Sequence, residues 1–392
     1  MFNLKDKFLK LISNPKIIFG IYLVVSFISA VAKYIRGPQA YNNYLIFKNV
    51  FYSCLKNQNI FQQHPNLFFD ANHYGVFFAI LIAPFALLPD WFGMPLWNVA
   101  NALIFVFAIS KLPISNIKKS FVAWLCLQEF ITAALSVQFN IALTGLLILS
   151  MVYIYEQKET KSALAILIGF FVKIYGIVGL SGFFFVKNKM KFILSLVVIS
   201  IIFLALPMLF SSAHFDLKCY WDWYNSLTGK NIENESLTSM QDFSLMGIVR
   251  RVLGDSSISN LYFIIPGILL FALPYLRIKQ YKELAFQVMI LCSTLLFLVL
   301  FSSSSESPTF IIAVTGVMIW FIIQKEKTPL VLFLLFFVLI LTCFSMSDLF
   351  PKYIKENYII KYSLKALPCV LVWFRVIYEL MVKDFSKDYA LN

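Results

Sequence analysis

The sequence predicts an all-α membrane protein, a polytopic bundle of about ten to twelve transmembrane helices with a large first outer loop. Hydrophobic residues make up 60% of the 392-residue chain, charged residues only 14%, and 42 residues are phenylalanine. Soluble globular proteins do not have this composition. Several apolar runs also reach the roughly 18 to 20 residues that a helix needs to cross hydrocarbon. Lipid offers no partner to an unpaired backbone amide, so these runs are expected to be helical.

Twelve apolar segments follow one another along the chain. No long Pro, Gly or Ser linker and no repeat interrupts them, so residues 1–392 are expected to form a single domain. The segments are residues 17–34, 74–88, 96–110, 120–135, 141–155, 162–186, 192–210, 261–276, 284–301, 307–323, 328–347 and 359–381.

The net charge of +13 comes from Lys and Arg residues in short clusters between apolar segments. That pattern sets membrane orientation and does not indicate a nucleic-acid surface. Lys5, Lys7, Lys10 and Lys16 precede the first segment with only Asp6 against them, and they predict a cytoplasmic N-terminus with the first loop outside. We therefore expect a multi-pass protein of the cytoplasmic membrane, in contact with membrane lipids, whose site faces outward. The six cysteines are scattered, and no metal or cofactor site is predicted.

The charge rule conflicts with a simple count of crossings. Twelve direct crossings place Lys111, Lys118 and Lys119 outside, and Gln138 and Asn140 inside. Basic loops belong on the cytoplasmic side. A re-entrant segment between residues 120 and 186 would remove the conflict.

Most of the side chains capable of chemistry lie in the first outer loop, residues 37–74. This loop is rich in Asn, Gln, His and aromatic residues and holds one carboxylate, Asp70. His64 and His73 lie nine residues apart without a third ligand at metal spacing, so a zinc site is not predicted.

A few polar residues lie within or beside the apolar segments, where ionisable groups are costly and often functional. Lys173 lies near the middle of residues 162–186, and its alternative role is a side chain that reaches an interface. Glu129 is expected to have a function or to pair with a cation. Glu306 begins a helix, as a cap or as a sugar ligand. Arg250 and Arg251 suit a phosphate or anchor the membrane boundary.

Six stretches in this order resemble the integral-membrane glycosyltransferases of the GT-C superfamily, specifically family 87, which includes polyprenol-phosphate-mannose-dependent α-mannosyltransferases. They are YNNYLIFKNVFYSCLKNQNIF at 41–61, HYGVFFAILIAPFALLP at 73–89, LWNVANAL at 96–103, VQFNIALTGLLILS at 137–150, GFFVKIYGIVGL at 169–180 and SESPTFIIAVTGVMIW at 305–320.

The resemblance implies a GT-C-like bundle that transfers a sugar, mannose in the better-known relatives, from a polyprenyl-phosphate donor to a lipid or glycan acceptor at the outer face. It matches Gln138 and Asn140 to a Gln-x-Asn element and Lys173 to an intramembrane lysine; the alternative for the two amides is interhelical hydrogen bonding. The residues expected to bind substrate are Asn43, Tyr44, His73, Tyr74, Gln138, Asn140, Lys173, Arg250 and Arg251.

The sequence departs from the family pattern at Asn43. Relatives carry an aspartate at the start of the phrase that reads Asn-Tyr-Leu-Ile-Phe here, and an amide cannot accept a proton at neutral pH. Asp70 or Glu306 takes the role of catalytic base, or the protein is an altered relative. We favour Asp70, although a carboxylate in its position also suits a turn cap.

A transporter or flippase of lipid-linked saccharides is the competing function. Such proteins pair broken helices in two corresponding halves and carry charged groups along a path through the bundle. The polar groups here concentrate at the outer face and no half-to-half symmetry is evident, which favours the enzyme.

Overall fold

The structure is a computed structural model that describes residues 12–391. Lys5, Lys7 and Lys10 lie outside the described residues. Within residues 12–391 the protein is helical, and its β pairing is one isolated bridge between Gln324 and Tyr389. The α-helices are α1 (Pro15–Ile35), α2 (Asn42–Leu55), α3 (Phe78–Ala86), α4 (Asp90–Lys111), α5 (Asn116–Leu135), α6 (Asn140–Tyr155), α7 (Glu159–Val172), α8 (Lys189–Ala205), α9 (Ala213–Asn234), α10 (Leu245–Leu253), α11 (Leu261–Ala272), α12 (Leu284–Leu300), α13 (Phe310–Ile323), α14 (Pro329–Phe337), α15 (Lys352–Ile354) and α16 (Leu367–Val382).

Three of these helices are long and apolar enough to cross a membrane, counting short 3₁₀ extensions: Pro15–Ile35, Asp90–Lys111 and Lys189–Leu209. Shorter apolar helices make up most of the remaining bundle. Helices α6, α12 and α13 are buried on nearly every side and form its centre. Helices α8 and α11 instead expose most of their apolar side chains, as helices that face lipid do.

One end of the bundle gathers the basic loops, and we call it the basic end. The indole nitrogen of Trp124 donates to the carbonyl of Ile12 at 2.9 Å. The amide of Ser115 donates to the carbonyl of Leu391 at 2.9 Å. Both described chain ends and the loop between α4 and α5 therefore meet there. The placement of Lys111, Lys118 and Lys119 opposite the N-terminus was wrong. Gln138 and Asn140 lie at the other end, which we call the site end.

The loop between α4 and α5 lies at the basic end because of helix α3. The predicted crossing over residues 74–88 is a nine-residue helix, about 13 Å long and too short to span hydrocarbon. It packs along α2 instead. Lys48 pairs with Asp90 at 2.6 Å, and the hydroxyl of Tyr44 donates to the carbonyl of Phe85 at 2.9 Å. Helix α4 therefore begins at the site end and runs to the basic end.

A second departure from the predicted topology is a fold-back within residues 162–186, which restores the direction of the later segments. Helix α7 ends at Val172, Lys173 adopts an extended backbone, and a 3₁₀ segment (Ile174–Phe185) returns to the basic end. A side chain on Gly176 would overlap the backbone at Gly169, so glycine permits this close approach. Lys191 pairs with Glu159 at 3.3 Å, which shows that both ends of the fold-back meet at the basic end.

Candidate functional site

A cavity of about 500 Å³ opens at the site end of the bundle. Four parts of the chain supply its polar surface: the end of the first loop, the turn after α7, one face of α9 and the serine-rich connection before α13. Seven of the residues predicted from sequence line it: Asn43, Asp70, His73, Tyr74, Gln138, Lys173 and Glu306. Residues far apart in sequence thus share one hollow, as the sequence-based site required.

A chain of hydrogen bonds connects the ammonium of Lys173 to the carboxylate of Glu306, two charged groups that line this cavity. The Nζ of Lys173 donates to Oδ1 of Asn140 at 2.9 Å, and Nδ2 of Asn140 donates to Oε1 of Gln138 at 2.7 Å. Nε2 of Gln138 then donates to Oε2 of Glu306 at 3.1 Å. An ammonium only donates and a carboxylate only accepts, so the two ends fix the orientation of both amides. We call these four residues the amide relay.

The fold-back explains why Lys173 begins this relay. The extended residue between α7 and the 3₁₀ segment places its side chain at the turn, toward the site end and away from lipid. Its Nζ lies 4.8 Å from the ring centre of Tyr175 and 6.0 Å from that of Tyr74. Aromatic faces and an amide oxygen thus stabilise the ammonium without a direct carboxylate partner.

Asp70 lies at the cavity wall with a positive φ of 74°, a conformation that aspartate tolerates better than most residues. Its carboxylate pairs with Nζ of Lys230 at 3.2 Å and lies 3.6 Å from Nε2 of His73. Burial alone would raise the pKa of Asp70, but the His73 ring, the amide of Ala71 and the charge of Lys230 together hold it well below its ordinary value. Asp70 is therefore ionised at neutral pH.

His73 and Tyr74 are anchored as they enter the cavity. Nδ1 of His73 lies 2.8 Å from the hydroxyl of Ser226, and the indole of Trp223 donates to the His73 carbonyl at 2.9 Å. Both partners belong to α9, so this helix is attached to the first loop. The hydroxyl of Tyr74 accepts the amide of Phe139 at 3.3 Å, and that bond positions the turn that carries Gln138.

Asn43 contacts a group that suits an amide and not a carboxylate. Its Nδ2 donates to the carbonyl of Ser136 at 2.8 Å. A carboxylate at this position would face that oxygen without a proton to share. The position of the expected family aspartate is therefore an amide donor that ties α2 to the end of α5.

Four of the predicted substrate-binding residues do not line the cavity: Tyr44, Asn140, Arg250 and Arg251. Asn140 is fully buried and is connected to the cavity through its hydrogen bonds to Lys173 and Gln138. Tyr44 is buried, with its hydroxyl on the Phe85 carbonyl. Arg250 is buried and donates through Nε and Nη2 to Asp242, at 3.1 and 2.5 Å. Arg251 donates to backbone carbonyls, including that of Ile360 at 2.7 Å. Protein partners engage both guanidinium groups, which leaves neither directed into the cavity.

Glu129 forms an ion pair, which is one of the two roles expected for it from the sequence. Lys365 Nζ lies 2.7 Å from its Oε1, and both side chains are fully buried. The pair joins α5 to the start of α16 and does not line the cavity. Its place in the core explains why an acid occurs inside an apolar helix.

Sequence reasoning missed the contribution of α9. Its cavity face presents Tyr224, Leu227, Thr228 and Asn231, at the i, i+3, i+4, i+7 spacing of one helix face. Lys230 lines the cavity beside them. The periodicity was present in residues 211–259, the polar second outer loop, but nothing in the sequence indicated that this loop would cover the first. Among residues 12–391, no group of three His, Cys, Asp or Glu side chains is placed to hold a metal ion.

The family model of glycosyltransferase family 87 matches residues 72–303, more than half of the chain. The matched range includes His73, the two amides and the lysine of the relay, and Lys230. Asp70 and Glu306 lie just outside it. No curated protein matches the chain. The family match, together with a polar cavity in an apolar helical bundle, shows that the chain belongs to glycosyltransferase family 87 and is a membrane glycosyltransferase.

Proposed function

We propose that this protein moves a sugar, with mannose as the first candidate, from a polyprenyl-phosphate donor to a lipid or glycan acceptor at the outer face of the cytoplasmic membrane. One observation carries the proposal. A single cavity holds two carboxylates, Asp70 and Glu306, and two ammonium groups, Lys173 and Lys230. Transfer from a phosphate-linked sugar needs a base for the acceptor and positive charge for the departing phosphate.

The orientation follows from the charge rule. The basic end carries the lysine-rich loops and is assigned to the cytoplasm. The cavity at the opposite end then faces outward, where nucleotide sugars are absent and a lipid-linked donor arrives by lateral diffusion. The cavity also has an apolar part, which includes Ile174, Ile264 and Phe301. Ile264 belongs to α11, whose outer face is exposed, so this part is the proposed entry for the isoprenoid chain.

We assign the base to Asp70. The acceptor hydroxyl oxygen attacks the anomeric carbon, the bond between that carbon and the phosphate oxygen breaks, and Asp70 takes the hydroxyl proton. The phosphate leaves with the bonding electrons and is stabilised by Lys230 and Lys173. A low pKa keeps Asp70 ionised but makes it a weak base. When the donor phosphate draws Lys230 away, Asp70 loses its counter-ion and becomes more basic, so donor binding activates the base.

The amide relay orients the other half of the site. Gln138 presents a fixed face to the cavity because Glu306 and the buried Asn140 determine its orientation. Fixed donors and acceptors of this kind position sugar hydroxyls at little reorganisation cost. We therefore assign sugar binding to Gln138 and Glu306, with Asn140 as the residue that orients Gln138 and Glu306 as the alternative base.

A transfer assay tests the proposal. Membranes that contain the protein receive polyprenyl-phosphate-mannose labelled in the sugar, and label is followed into lipid and glycan fractions. We expect transfer in vesicles that expose the site end to the added acceptor, and none from nucleotide-linked mannose. Transfer from the nucleotide sugar alone would contradict the donor assignment. A donor panel with other sugars tests mannose separately.

The amide at Asn43 favours a second possibility, an altered relative that binds the lipid-linked saccharide without transferring the sugar, or that moves it across the bilayer. The same vesicles distinguish these possibilities. A flippase would change the leaflet in which labelled donor is found while the sugar–phosphate bond stays intact, whereas the enzyme breaks that bond.

A further inference from the structure

A second cleft of about 220 Å³ lies at the basic end, away from the site described above. Four cations line it, Lys325, Arg375, Lys383 and Lys387, against two carboxylates, Glu326 and Asp388. The N-terminal turn of α14 forms one wall, with Thr328 capping the amide of Val331 at 3.4 Å. A helix N-terminus adds partial positive charge to the lysines and arginine. Arg375 pairs with Glu379 at 2.7 Å and Lys387 with Asp384 at 3.6 Å, so the argument for an anion rests on the free N–H donors of the cleft and not on its net charge.

The floor of this cleft is rigid because it is built on the buried carboxylate of Glu379. That side chain accepts hydrogen bonds from Trp320 at 2.9 Å, Gln324 at 2.8 Å and Tyr389 at 2.9 Å. Nε of Arg375 donates to it at 2.7 Å. These four hydrogen bonds to one buried carboxylate hold α13, α16 and the C-terminal segment together.

Two of the cations, Arg375 and Lys383, have N–H groups that are available to a ligand. Arg375 uses Nε for Glu379, and its guanidinium carbon lies 5.2 Å from the ring centre of Tyr378. Within residues 12–391 its two Nη atoms make no hydrogen bond, and Lys383 Nζ makes no hydrogen bond or ion pair in the same part of the chain. A guanidinium fork beside an ammonium matches the oxygens of a phosphate group. The arrangement differs from that of Arg250 and Arg251, whose donors are occupied by the protein.

The surroundings indicate where such a phosphate comes from. The cleft opens between α14 and α16, and both helices expose apolar side chains beside it: Leu330 and Phe333 on α14, and Tyr378 and Val382 on α16. Acyl chains can pack on these faces while the headgroup reaches the cations. We propose that this cleft binds the phosphate group of an anionic phospholipid in the leaflet at the basic end.

Native mass spectrometry of the purified full-length protein tests this proposal. The protein is equilibrated with phosphatidylglycerol or with phosphatidylcholine of the same acyl chains. We expect phosphatidylglycerol to be retained at least tenfold more strongly. The triple variant Lys325→Gln, Lys383→Gln and Lys387→Gln should lose at least tenfold of that retention. Arg375 stays unchanged in this variant because its removal would leave Glu379 with one partner fewer.

A matched triple variant removes three charges from the same end but outside the cleft: Lys158→Gln, Lys161→Gln and Lys187→Gln. It should retain phosphatidylglycerol as the wild type does. Equal loss in both triple variants, or equal retention of the two lipids, would overturn the proposal. Release of bound phosphatidylglycerol by millimolar inorganic phosphate, but not by sodium chloride at matched ionic strength, would show that the cleft holds the lipid through its phosphate group.

Discussion

Exchanging each cavity carboxylate for the corresponding amide distinguishes a catalytic base from a group that only binds substrate or supports the structure. In Asp70→Asn the amide oxygen can still accept the Ala71 amide, a bond of 2.9 Å in the wild type. The lost ion pair with Lys230 is partly exposed, with 41% of the Asp70 side chain accessible, so it is worth less than about 1 kcal/mol. A structural role alone therefore predicts no more than about a fivefold change in transfer rate.

Glu306→Gln is an equally conservative exchange. The amide oxygen still accepts Nε2 of Gln138, so the relay keeps its geometry, and only the charge on that bond is lost. The difference between a charge-assisted and a neutral hydrogen bond is about 1 kcal/mol, or roughly fivefold. A general base contributes about 100- to 10,000-fold. We expect kcat to fall by that larger factor in Asp70→Asn and by about fivefold to tenfold in Glu306→Gln.

The assay is the initial rate of label transfer from saturating polyprenyl-phosphate sugar, with the melting temperature measured on the same detergent-purified samples. Asp255→Asn provides the matched control, because this carboxylate is exposed in the second outer loop and does not line the cavity. Its rate should equal that of the wild type. A larger loss in Glu306→Gln than in Asp70→Asn would move the base to Glu306. Losses below tenfold in both variants would refute the reasoning for either carboxylate.

Three further substitutions probe the cavity and the core. Asn43→Asp should slow transfer and lower the melting temperature, because its carboxylate would face a backbone carbonyl; faster transfer would show that it restores a base. Lys230→Met should raise the donor KM and raise the pKa of Asp70. The stability that this pair gives at neutral pH, under about 1 kcal/mol, should be lost progressively as the pH falls from about 4 through the lowered pKa of Asp70, so melting temperatures of variant and wild type should approach each other over that range. Lys365→Met should cost about 3 to 5 kcal/mol of unfolding free energy by leaving Glu129 buried and unpaired, and adding Glu129→Leu should recover most of it; denaturation in detergent measures both.

Local signals were sufficient for much of the site. Lys173, Gln138 and Glu306 stand out as polar residues in apolar surroundings, and the cost of burying such groups unpaired makes them converge. Arg250 and Arg251 carry the same signal and yet bind elsewhere. Sequence alone does not show which buried charge has a protein partner, because Asp242, the partner of Arg250, looks like any loop carboxylate.

Topology was harder to predict for a similar reason. A run of apolar residues specifies helix and burial but not direction, so residues 162–186 read as one crossing. The fold-back depends on Gly169 and Gly176 meeting closely, a contact between two glycines that periodicity does not reveal. Helix α3 was misread because apolar length was counted across residues 74–88, while only Phe78–Ala86 is helical. Both errors change parity. The misread helix α3 explains the conflict with the positive-inside rule, and the fold-back restores the parity of the segments that follow it.

The amide at Asn43 is easier to understand once the cavity is seen as a whole. Its donor bond to the Ser136 carbonyl holds the end of α5, and Gln138 lies two residues further on, in the relay. A carboxylate at position 43 would disturb the connection that positions that relay. The family match covers the relay amides and both lysines, while Asp70 and Glu306 fall immediately before and after it. If the base lies at Asp70, proton acceptance has moved from position 43 to an adjacent part of the first loop, since Asn42 and Phe69 exchange two hydrogen bonds, at 2.7 and 2.9 Å.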